Sequence, residues 1–574
     1  MVLAGPGSGK TKVLTVKLAR LISEEIAPPR GVACLTFNSE CVKELTGRLA
    51  HLGIRNSRNV FIGTVHSFCL KAVVLPYGKM GGLNLPEPLR IATGPEQERI
   101  FTNALGRVVS ADERPDVWRR RCDHYRRTYL DRDTLEWRNE NSQCAELIEE
   151  YERLLRRDGY IDFDDMVLLG LQLIEKHSWV RKVLTARYPA LAVDEYQDLG
   201  LALHRLVTSL CFGSESRCRL FAVGDPDQSI YSFTGAQPEL LRTLAEDRRV
   251  EKVHLRLNYR SRSNIVSASE VALGEKRGYE AASGEGGIVE FHRCKDGLSH
   301  QTNHVCGKLI PSILVSGVAR NLGEIAILYR EKMQGDCAAE AALKAGLEFI
   351  RVDGNAPYRS SPFTTWLECC AAWCAGGWRI GEPGLSDLLA RWRYINGSVA
   401  SDRENLDRSR ELVRFLFANR DTTDPLGTWL KSFYHSCLKT AFERMPLLGD
   451  DAVKVASILS LCEPNKKLAG WSVVQFGGQG GTPNHLNLMT YHSAKGLEFD
   501  VVFLIGLDQG VIPSYRENTI ASKREPRRLF YVGLTRARHE VHMLYSGWRD
   551  SPYGRKTDGP SEFLEEVRRS VSLG

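Results

Sequence analysis

The sequence predicts an α/β protein with parallel strands, and three observations support this fold class. Val2 and Leu3 form a short apolar run that leads into a glycine-rich loop and then into a segment with apolar residues at helical spacing. Two later apolar runs, "ALAV" and "LFAVG", each end in an acidic turn, as buried parallel strands do. The chain has 574 residues, which is too long for one core, so several domains are expected.

The glycine-rich loop follows the pattern G-x-x-x-x-G-K-[ST] of a phosphate-binding P-loop, with Ala4 in place of the first glycine. Its glycines let backbone N–H groups approach a polyphosphate, and the start of the following helix adds positive potential. Lys10 is expected to reach the β- and γ-phosphates, and Thr11 is expected to ligate Mg²⁺. The predicted nucleotide contacts are Gly5, Gly7, Ser8, Gly9, Lys10, Thr11 and Lys12.

Two adjacent carboxylates follow the first of the later apolar runs. The run from Ala190 to Val193 ends directly before Asp194 and Glu195, and α/β sheets place their chemistry at the carboxyl ends of strands. Asp194 is expected to hold Mg²⁺ through water. Glu195 is expected to orient and deprotonate the attacking water.

The second run continues into "GDPDQSIYSFTGA", a polar turn that also carries aromatic residues. Gln228 has the right chemistry to touch a γ-phosphate or the attacking water. Tyr231 and Phe233 are placed to present ring faces to nucleic-acid bases. This loop is therefore expected to join the nucleotide to a polymer.

Amino-acid composition indicates what class of protein this is and in which compartment it is expected. Hydrophobic residues make up 43% and charged residues 26% of the chain, which is ordinary for a soluble globular protein. The net charge of +7 permits an anionic partner without demanding one. No apolar run approaches eighteen residues, so no membrane span is expected, and no secretory signal precedes the P-loop. The fifteen scattered cysteines suit a reducing cytoplasm, the predicted location.

Cysteine and histidine spacing does not predict a structural metal or an iron–sulfur cluster. The densest cysteine group is Cys369, Cys370 and Cys374, and no second pair lies at zinc-ribbon spacing from it. The segment "HRCKDGLSHQTNHVC" is better read as a strand end, a loop and a helix start. It contains four candidate ligands: Cys294, His300, His304 and Cys306.

Nine motifs, in order, resemble those of the UvrD/Rep/PcrA-like superfamily 1 DNA helicases. They are "AGPGSGKT", "LTFNSECVKEL", "FIGTVHSF", "VDEYQDLG", "VGDPDQSIYSFTGA", "LNYRSRSNI", "IAILYRE", "TYHSAKGLEFD" and "YVGLTRAR". They cover the chain from its first residues to about residue 546. The resemblance implies two RecA-like P-loop NTPase domains with parallel sheets flanked by helices, each carrying a mainly helical insertion.

The resemblance also implies ATP and Mg²⁺ as cofactors and adds residues to the nucleotide site. Arg260 and Arg536 are similar to the family's two arginines that reach the γ-phosphate, so Glu195, Gln228 and these arginines form the expected catalytic set. Tyr259 is similar to the ring that stacks on adenine. Glu498 matches a glutamate that helps to couple the ribose and DNA.

A single-stranded DNA track is implied by the same resemblance. Tyr231 joins it as a ring that faces the bases, and the residues in track motifs are Thr36, Phe37, Asn38, Thr64, His66, Phe233 and His492. The family usually has Trp-Arg where this chain has Phe233 and Thr234, so stacking is retained but a cation is lost. Tyr491 stands where leucine is more usual.

The family layout predicts four domain segments. Domain 1A is expected at 1–85 and 160–255, its insertion 1B at 86–159, domain 2A at 256–375 and 483–574, and a reduced insertion 2B at 376–482. The glycine-rich stretches "GGWRIGEPG" and "GGQGGTPN" are read as hinges. Five arginines of 1B are expected either to contact phosphates or to form a solvated face: Arg119, Arg120, Arg121, Arg126 and Arg127.

The resemblance implies an ATP-dependent translocase or helicase that moves 3′→5′ on single-stranded or partly duplex DNA, in DNA repair or anti-phage defence. The short 2B segment resembles the helicase subunit of Gabija-type anti-phage systems, which works beside an OLD-family nuclease. The alternative is a DNA-sensing regulatory NTPase subunit that activates a partner nuclease without processive unwinding. Because Met1 lies so close to the P-loop, we also expect the natural protein to begin upstream, with an adenine-reading glutamine.

Overall fold

The computed structural model describes residues 1–36, 39–54, 59–92, 94–213, 218–231, 235–352, 362–380, 383–395, 402–444, 449–464, 466, 468–477, 485–550 and 554–573. It divides into two units, Met1–Gly287 with Thr519–Tyr531, and Ile288–Asn518 with Val532–Gly574. Each unit contains one six-stranded parallel sheet flanked by helices, which confirms the predicted α/β fold class. The finer domain boundaries stay a prediction.

The strands of the first unit are β1 (Val2–Ala4), β2 (Val32–Thr36), β3 (Val60–Thr64), β4 (Arg90–Ile91), β5 (Tyr160–Ile161), β6 (Ala190–Val193), β7 (Arg219–Gly224), β8 (Val253–Leu255), β9 (Leu257–Asn258) and β10 (Glu280–Ala281). Six of them form one sheet, in the order β3-β2-β6-β7-β1-β8. Two short parallel ladders, β4 with β5 and β9 with β10, lie outside this sheet. The three strands predicted from apolar runs are confirmed as β1, β6 and β7.

Thirteen α-helices among the described residues accompany these strands, besides shorter π- and 3-10 turns. They are α1 (Lys10–Arg20), α2 (Ser39–His51), α3 (Val65–Phe68), α4 (Leu75–Tyr77), α5 (Gly94–Val108), α6 (Pro115–Thr128), α7 (Leu135–Asn139), α8 (Ser142–Arg157), α9 (Phe163–Lys176), α10 (Ser178–Arg187), α11 (Leu201–Cys211), α12 (Pro238–Glu246) and α13 (Ser263–Leu273). The predicted helix after the P-loop is confirmed as α1.

The sheet of the first unit is buried on both faces, because successive side chains of a strand alternate between them. On one face, Val32 of β2 and Ala190 of β6 pack in one core with Leu14 of α1. On the other face, Leu35 and Val193 belong to a second core that includes residues of α9, α10 and α11. The carboxyl ends of β1, β6 and β7 therefore share one edge of a rigid sheet.

Arg126 of α6 is buried, which corrects the expectation that it contacts phosphates or solvent. Its side chain is 2% exposed, and its guanidinium donates to Glu152, Asp162 and Asp165 at 2.7, 2.7 and 2.5 Å. Asp162 and Asp165 also form the capping box that begins α9. The arginine thus joins α6 and α8 to the start of α9.

Replacing Arg126 by alanine should lower the free energy of unfolding by about 3 kcal/mol, since it leaves buried carboxylates without their main counter-charge. The value lies at the low end of the range for broken buried pairs because Arg132 still pairs with Glu152 and Arg156 with Asp165. Urea unfolding of wild type and variant measures the change. Arg120→Ala, which removes an exposed pair, is the matched control and should change stability by less than about 1 kcal/mol. Equal effects of the two variants would contradict the structural role of Arg126.

The strands of the second unit are β11 (Ile288–Arg293), β12 (Ile325–Tyr329), β13 (Phe349–Val352), β14 (Leu486–Thr490), β15 (Phe499–Leu504) and β16 (Ala537–Tyr545). They form one sheet in the order β11-β16-β15-β12-β14-β13. The unit's α-helices are α14 (Leu298–His304), α15 (Ile310–Ser316), α16 (Lys332–Lys344), α17 (Pro362–Ala372), α18 (Trp378–Ile380), α19 (Leu385–Ile395), α20 (Asp402–Ala418), α21 (Leu426–Phe433), α22 (Lys439–Arg444), α23 (Gly449–Leu461), α24 (Val473–Gly477) and α26 (Glu562–Leu573). Most of α25 (Arg524–Leu534), residues 524–531, belongs to the first unit. The strand end, loop and helix start predicted around Cys294 are confirmed.

Helices α17, α19, α20, α21, α23 and α24 share an aromatic core of their own in the second unit. The rings of Trp366 and Trp392 stack with centroids 4.7 Å apart. Cys370 and Cys374 are buried in this core, and burial raises the pKa of the Cys374 thiol to about 12, which disfavours the thiolate that a metal needs. None of the helices in the described part of the chain is both long and apolar enough to cross a bilayer.

Candidate nucleotide site

The P-loop connects β1 to α1 in the conformation that its glycines permit. Gly9 has φ of +86° directly before α1 begins at Lys10, a left-handed conformation that favours glycine. Because Gly9 has no side chain, it offers no side-chain cap to the first N–H groups of α1. The hydroxyl of Ser8 donates to the carbonyl of Gly5 at 2.6 Å and closes the turn. The loop therefore presents a helix N-terminus to an anion.

Gly7 is needed for the close approach of a second segment. A Cβ on Gly7 would come within 2.4 Å of Asn258 Oδ1 and 2.6 Å of Arg260 Cβ, so no larger residue fits there. The backbone N–H of Tyr259 donates to the carbonyl of Gly7 at 2.9 Å. Asn258 Oδ1 in turn accepts from the N–H groups of Arg260 and Ser261 at 2.8 and 2.9 Å. The segment that carries Tyr259 and Arg260 is thus docked on the P-loop.

Tyr259 has the exposure that stacking on a ligand requires. Its side chain is 70% exposed although its backbone is fixed to the P-loop. An exposed ring on a rigid backbone can accept a flat heterocycle at little entropic cost. The adenine-stacking role that the resemblance gives Tyr259 stays a prediction.

Lys10 is held inside the loop by backbone carbonyls and a carboxylate. Its Nζ donates to the carbonyl oxygens of Ala4 and Gly5 at 3.1 and 3.3 Å and lies 4.0 Å from Asp225 Oδ2. Phosphate oxygens are stronger acceptors than these carbonyls because they carry charge. A polyphosphate in the loop would therefore compete with these carbonyls for the ammonium.

Asp194 and Glu195 follow β6 at the predicted edge of the sheet. The N–H of Asp194 donates to the carbonyl of Leu35, which fixes the backbone at the strand end, and Asp194 Oδ1 accepts from the N–H of Glu195 at 3.0 Å. Glu195 has φ of +49°, in the left-handed region that non-glycine residues rarely adopt. Such strain is found where the surrounding structure holds a residue for function.

Gln197 connects Glu195 to the next strand end, a role that the sequence analysis missed. Its Nε2 donates a short hydrogen bond to Glu195 Oε2, and its Oε1 accepts from the N–H of Asp225 at 2.9 Å. Gln228 Nε2 donates to Asp225 Oδ2 at 2.6 Å. Glu195, Gln197, Asp225 and Gln228 are thus linked in one hydrogen-bonded series, in which Gln197 meets the backbone N–H of Asp225 and the carboxylate of Asp225 lies 4.0 Å from Lys10 Nζ. The motif "VDEYQD" already contained Gln197, but its spacing alone does not reveal the partner.

Asp225 and Asp227 are two buried carboxyls with different environments. Burial raises the pKa of Asp225 to about 6, against the opposing effect of Lys10. Asp227 accepts two hydrogen bonds from the guanidinium of Arg277 at 2.7 and 2.9 Å. Arg277 was also missed, because nothing in "EKRGYE" distinguishes it from a surface arginine. The bidentate pair fixes the turn that carries Gln228.

Of the predicted DNA-track residues, Thr36 and Thr64 end β2 and β3, His66 lies on α3, and Tyr231 lies in the loop after β7. Thr36 is buried, Thr64 caps α3 by accepting from the N–H of Ser67 at 3.3 Å, and Tyr231 is half-buried. Phe37, Asn38 and Phe233 lie outside the described residues. Their expected contact with DNA stays a prediction.

A cleft of about 250 Å³ lies beside His66 in the first unit. It is lined by Arg127, whose guanidinium pairs with Asp164 at 2.9 and 3.1 Å, and by the start of α11. The ring of His66 meets that of Phe163 edge to face at 5.9 Å, and burial lowers the pKa of His66. His66 is therefore neutral at neutral pH and offers hydrogen bonds rather than charge.

The remaining site residues lie in the second unit. Glu498 Oε1 accepts from Arg538 at 2.5 Å, and His492 is half-buried. Arg536 is buried, and its guanidinium donates to the carbonyls of Val532 and Leu497 at 2.9 and 3.2 Å. The unusual Tyr491 packs against Gly533, where a Cβ would come within 2.6 Å of its ring.

The donor set of the first unit fits Mg-ATP. The P-loop amides and Lys10 suit a polyphosphate, and the hydroxyl of Thr11 with the carboxylate of Asp194 are oxygen ligands of the kind that Mg²⁺ prefers. Tyr259 adds an exposed ring. These residues would hold the nucleotide and its metal.

The fold and the loop together define a P-loop NTPase with two parallel sheets. A protein-family model of the UvrD/REP helicase N-terminal domain matches residues 1–249, and one of the UvrD-like helicase C-terminal domain matches residues 478–547. The chain belongs to the UvrD/PcrA-like superfamily 1 helicases, which are ATP-hydrolysing DNA helicases.

Several bacterial relatives align with nearly the whole chain. The chain is 26% identical over 645 residues to the ATP-dependent DNA helicase PcrA of Bacillus subtilis (strain 168), covering 99% of this chain and 83% of the relative. It is 24% identical over 653 residues to the protein of the same name from Staphylococcus aureus (strain NCTC 8325 / PS 47), covering 100% of this chain and 84% of the relative.

Proposed function

We propose that this chain moves 3′→5′ along single-stranded DNA and displaces the complementary strand, using ATP hydrolysis at the first unit's P-loop. The observation that carries the proposal is the hydrogen-bonded series from Glu195 to Gln228, which meets Lys10 at one sheet edge. The direction of movement rests on the family resemblance. The pathway, repair or anti-phage defence, rests on it as well.

Glu195, Gln197, Lys10 and Gln228 have distinct tasks in this proposal. Glu195 accepts a proton from the attacking water, while Gln197 holds one of its carboxylate oxygens in place. Lys10 neutralises charge that develops on the phosphate oxygens. Gln228 donates to Asp225 and precedes Tyr231 by three residues, so in this proposal it couples the DNA-facing loop to the nucleotide. Mg-ATP, when bound, supplies the phosphoryl group whose transfer to water drives the cycle.

Phe233→Ala should weaken DNA binding without lowering the basal rate of ATP hydrolysis. Loss of a base stack costs about 1–3 kcal/mol, so DNA affinity should fall roughly 5- to 150-fold while basal ATP turnover stays near wild type. The measurements are steady-state ATP hydrolysis with and without single-stranded DNA and fluorescence anisotropy of labelled DNA. Phe417→Ala removes an exposed phenyl ring of the second unit and serves as the matched control. Unchanged DNA affinity in Phe233→Ala would remove this residue from the track.

A second function, a regulatory NTPase subunit that activates a nuclease without unwinding, is favoured by two observations. The alignment with the Bacillus relative runs over 645 positions although this chain has 574 residues, so the relative carries segments that this chain lacks. The missing arginine after Phe233 points in the same direction. A reduced motor of this kind would still hydrolyse ATP on DNA.

Strand displacement on tailed duplexes tests both functions. The purified chain is mixed with ATP and a short duplex that carries either a 3′ or a 5′ single-stranded tail, with and without an OLD-family nuclease. Displacement of the 3′-tailed duplex by the chain alone supports the proposal. ATP hydrolysis without displacement, together with ATP-dependent nuclease activation, supports the regulatory function. Displacement of the 5′-tailed duplex alone contradicts the proposed direction.

A further inference from the structure

Two histidines and a glutamate meet on one face of the second unit's sheet, outside the nucleotide site. Glu290 and His292 are two residues apart on the edge strand β11, so their side chains point to the same face. His542 lies on the neighbouring strand β16, directly opposite Glu290 in the parallel register. The face of the sheet therefore brings all three side chains together.

Three ligand atoms of this group form a small triangle. His292 Nε2 lies 3.1 Å from His542 Nδ1, and Glu290 Oε2 lies 3.4 Å from each of these nitrogens. Atoms bound to Zn²⁺ at about 2.0–2.1 Å in a tetrahedron lie about 3.3–3.4 Å from one another. We propose that Glu290, His292 and His542 bind a divalent transition-metal ion of the Zn²⁺ type, with water in the fourth position.

The residues around His542 orient its imidazole for metal binding. The side chain is buried, its ring stacks on Phe503 with centroids 4.9 Å apart, and its Nε2 lies 3.1 Å from Glu540 Oε2. A carboxylate on the second nitrogen fixes the tautomer, so that Nδ1 carries the lone pair that a metal needs. This arrangement of carboxylate, imidazole and ligand site is the one found around metal-bound histidines.

For a neutral His542, hydrogen bonds alone do not satisfy all three atoms of this triangle. With the proton of His542 on Nε2, both His542 Nδ1 and Glu290 Oε2 are acceptors, and they face each other at 3.4 Å. The one remaining proton, on His292 Nε2, cannot serve both acceptors well. A metal ion would satisfy all three atoms at once.

The ion would fasten the edge strand to the sheet. Glu290 is 53% exposed, which gives an ion a path from solvent, whereas His542 is 5% exposed and anchors the site. Among the described residues, β11 is an edge strand that pairs with β16 alone. A metal that joins Glu290 and His292 to His542 would therefore stabilise the strand with which the second unit begins.

Metal titration of the full chain tests the proposal. Protein without a polyhistidine tag is stripped with a chelator, desalted under reducing conditions, and titrated with ZnCl₂ by calorimetry and thermal melting. One equivalent should bind and raise Tm by several degrees. His292→Ala and His542→Ala should each weaken Zn²⁺ binding by about 100-fold or more, and the mild variant Glu290→Gln, at an exposed position, by about 10-fold. His435→Ala, an exposed histidine of the second unit, is the matched control and should bind as wild type does.

Cobalt spectroscopy distinguishes this site from binding by thiols. Co²⁺ at the proposed site should give visible bands of a nitrogen- and oxygen-ligated ion, and these bands should vanish in His542→Ala. Thiolate charge-transfer bands would assign the ion to cysteines and overturn the proposal. Zn²⁺ affinity unchanged in Glu290→Gln and His292→Ala, or no binding to wild type, would also overturn it. Circular dichroism of each variant shows whether it is folded, and Glu290→Gln keeps the test decisive should a histidine variant fail to fold.

Discussion

Glu195→Gln should hydrolyse ATP about 10²–10⁴-fold more slowly than wild type while binding Mg-ATP and DNA as well. The amide keeps the size of the carboxylate and an oxygen that can accept from Gln197, so the hydrogen-bonded series survives. It has no basic oxygen to take a proton from water. Single-turnover hydrolysis and equilibrium binding of a fluorescent ATP analogue separate the two effects.

Glu246→Gln provides the matched control for this experiment. Glu246 is an exposed glutamate at the end of α12 in the same unit, and its replacement should leave turnover unchanged. If Glu195→Gln lost less than tenfold in turnover while ATP binding held, Glu195 would not be the base. Loss of ATP binding in the variant would instead assign Glu195 to ligand binding.

Arg536→Ala should lower ATP turnover by about 10³-fold or more, both with and without DNA, if Arg536 stabilises charge on the γ-phosphate as the resemblance implies. The residue is buried and donates to the carbonyls of Val532 and Leu497, so the variant also loses hydrogen bonds inside the second unit. Melting temperature must therefore be measured beside kcat. A catalytic role requires a loss of kcat in protein that remains folded at the assay temperature.

Arg536→Lys and Arg568→Ala sharpen the interpretation. Lysine keeps the charge but lacks the planar fork, so Arg536→Lys should remain far below wild type in kcat. Arg568 pairs with Glu565 on α26, and its removal should leave kcat unchanged. If Arg536→Ala retained near wild-type turnover, or lost turnover only above its melting temperature, Arg536 would have a structural role alone.

The sequence predicts best those strands and helices that are determined by residues close together in the chain. β1, β6 and β7 are short apolar runs bounded by turns. α1 follows a loop in which the glycines and Lys10 have the spacing of a P-loop, and this motif precedes a helix. Local spacing therefore placed the P-loop, Asp194 and Glu195 at strand ends before any tertiary contact was known. The order of the motifs supplied the family, which no single segment could.

The rest depended on contacts between residues far apart in the chain. Gln197 meets Asp225, and Asp227 meets Arg277, across 28 and 50 positions. The charge pattern of α6 predicts that Arg126 and its neighbours contact phosphates or face solvent. It does not reveal that the guanidinium of Arg126 donates to Asp162 and Asp165. Contacts of this kind follow from the packing of elements, and one sequence does not encode them in its spacing.

The most direct test of the account is the rate of ATP hydrolysis as single-stranded DNA is added. Because Gln228, which belongs to the hydrogen-bonded series proposed to carry hydrolysis, precedes Tyr231 and Phe233 in the same loop, DNA should raise kcat in a saturable, Mg²⁺-dependent way. Glu195→Gln should show no such rise. A hydrolysis rate that stays constant over DNA concentrations at which anisotropy shows the protein fully bound would contradict the coupling of ATP hydrolysis to DNA.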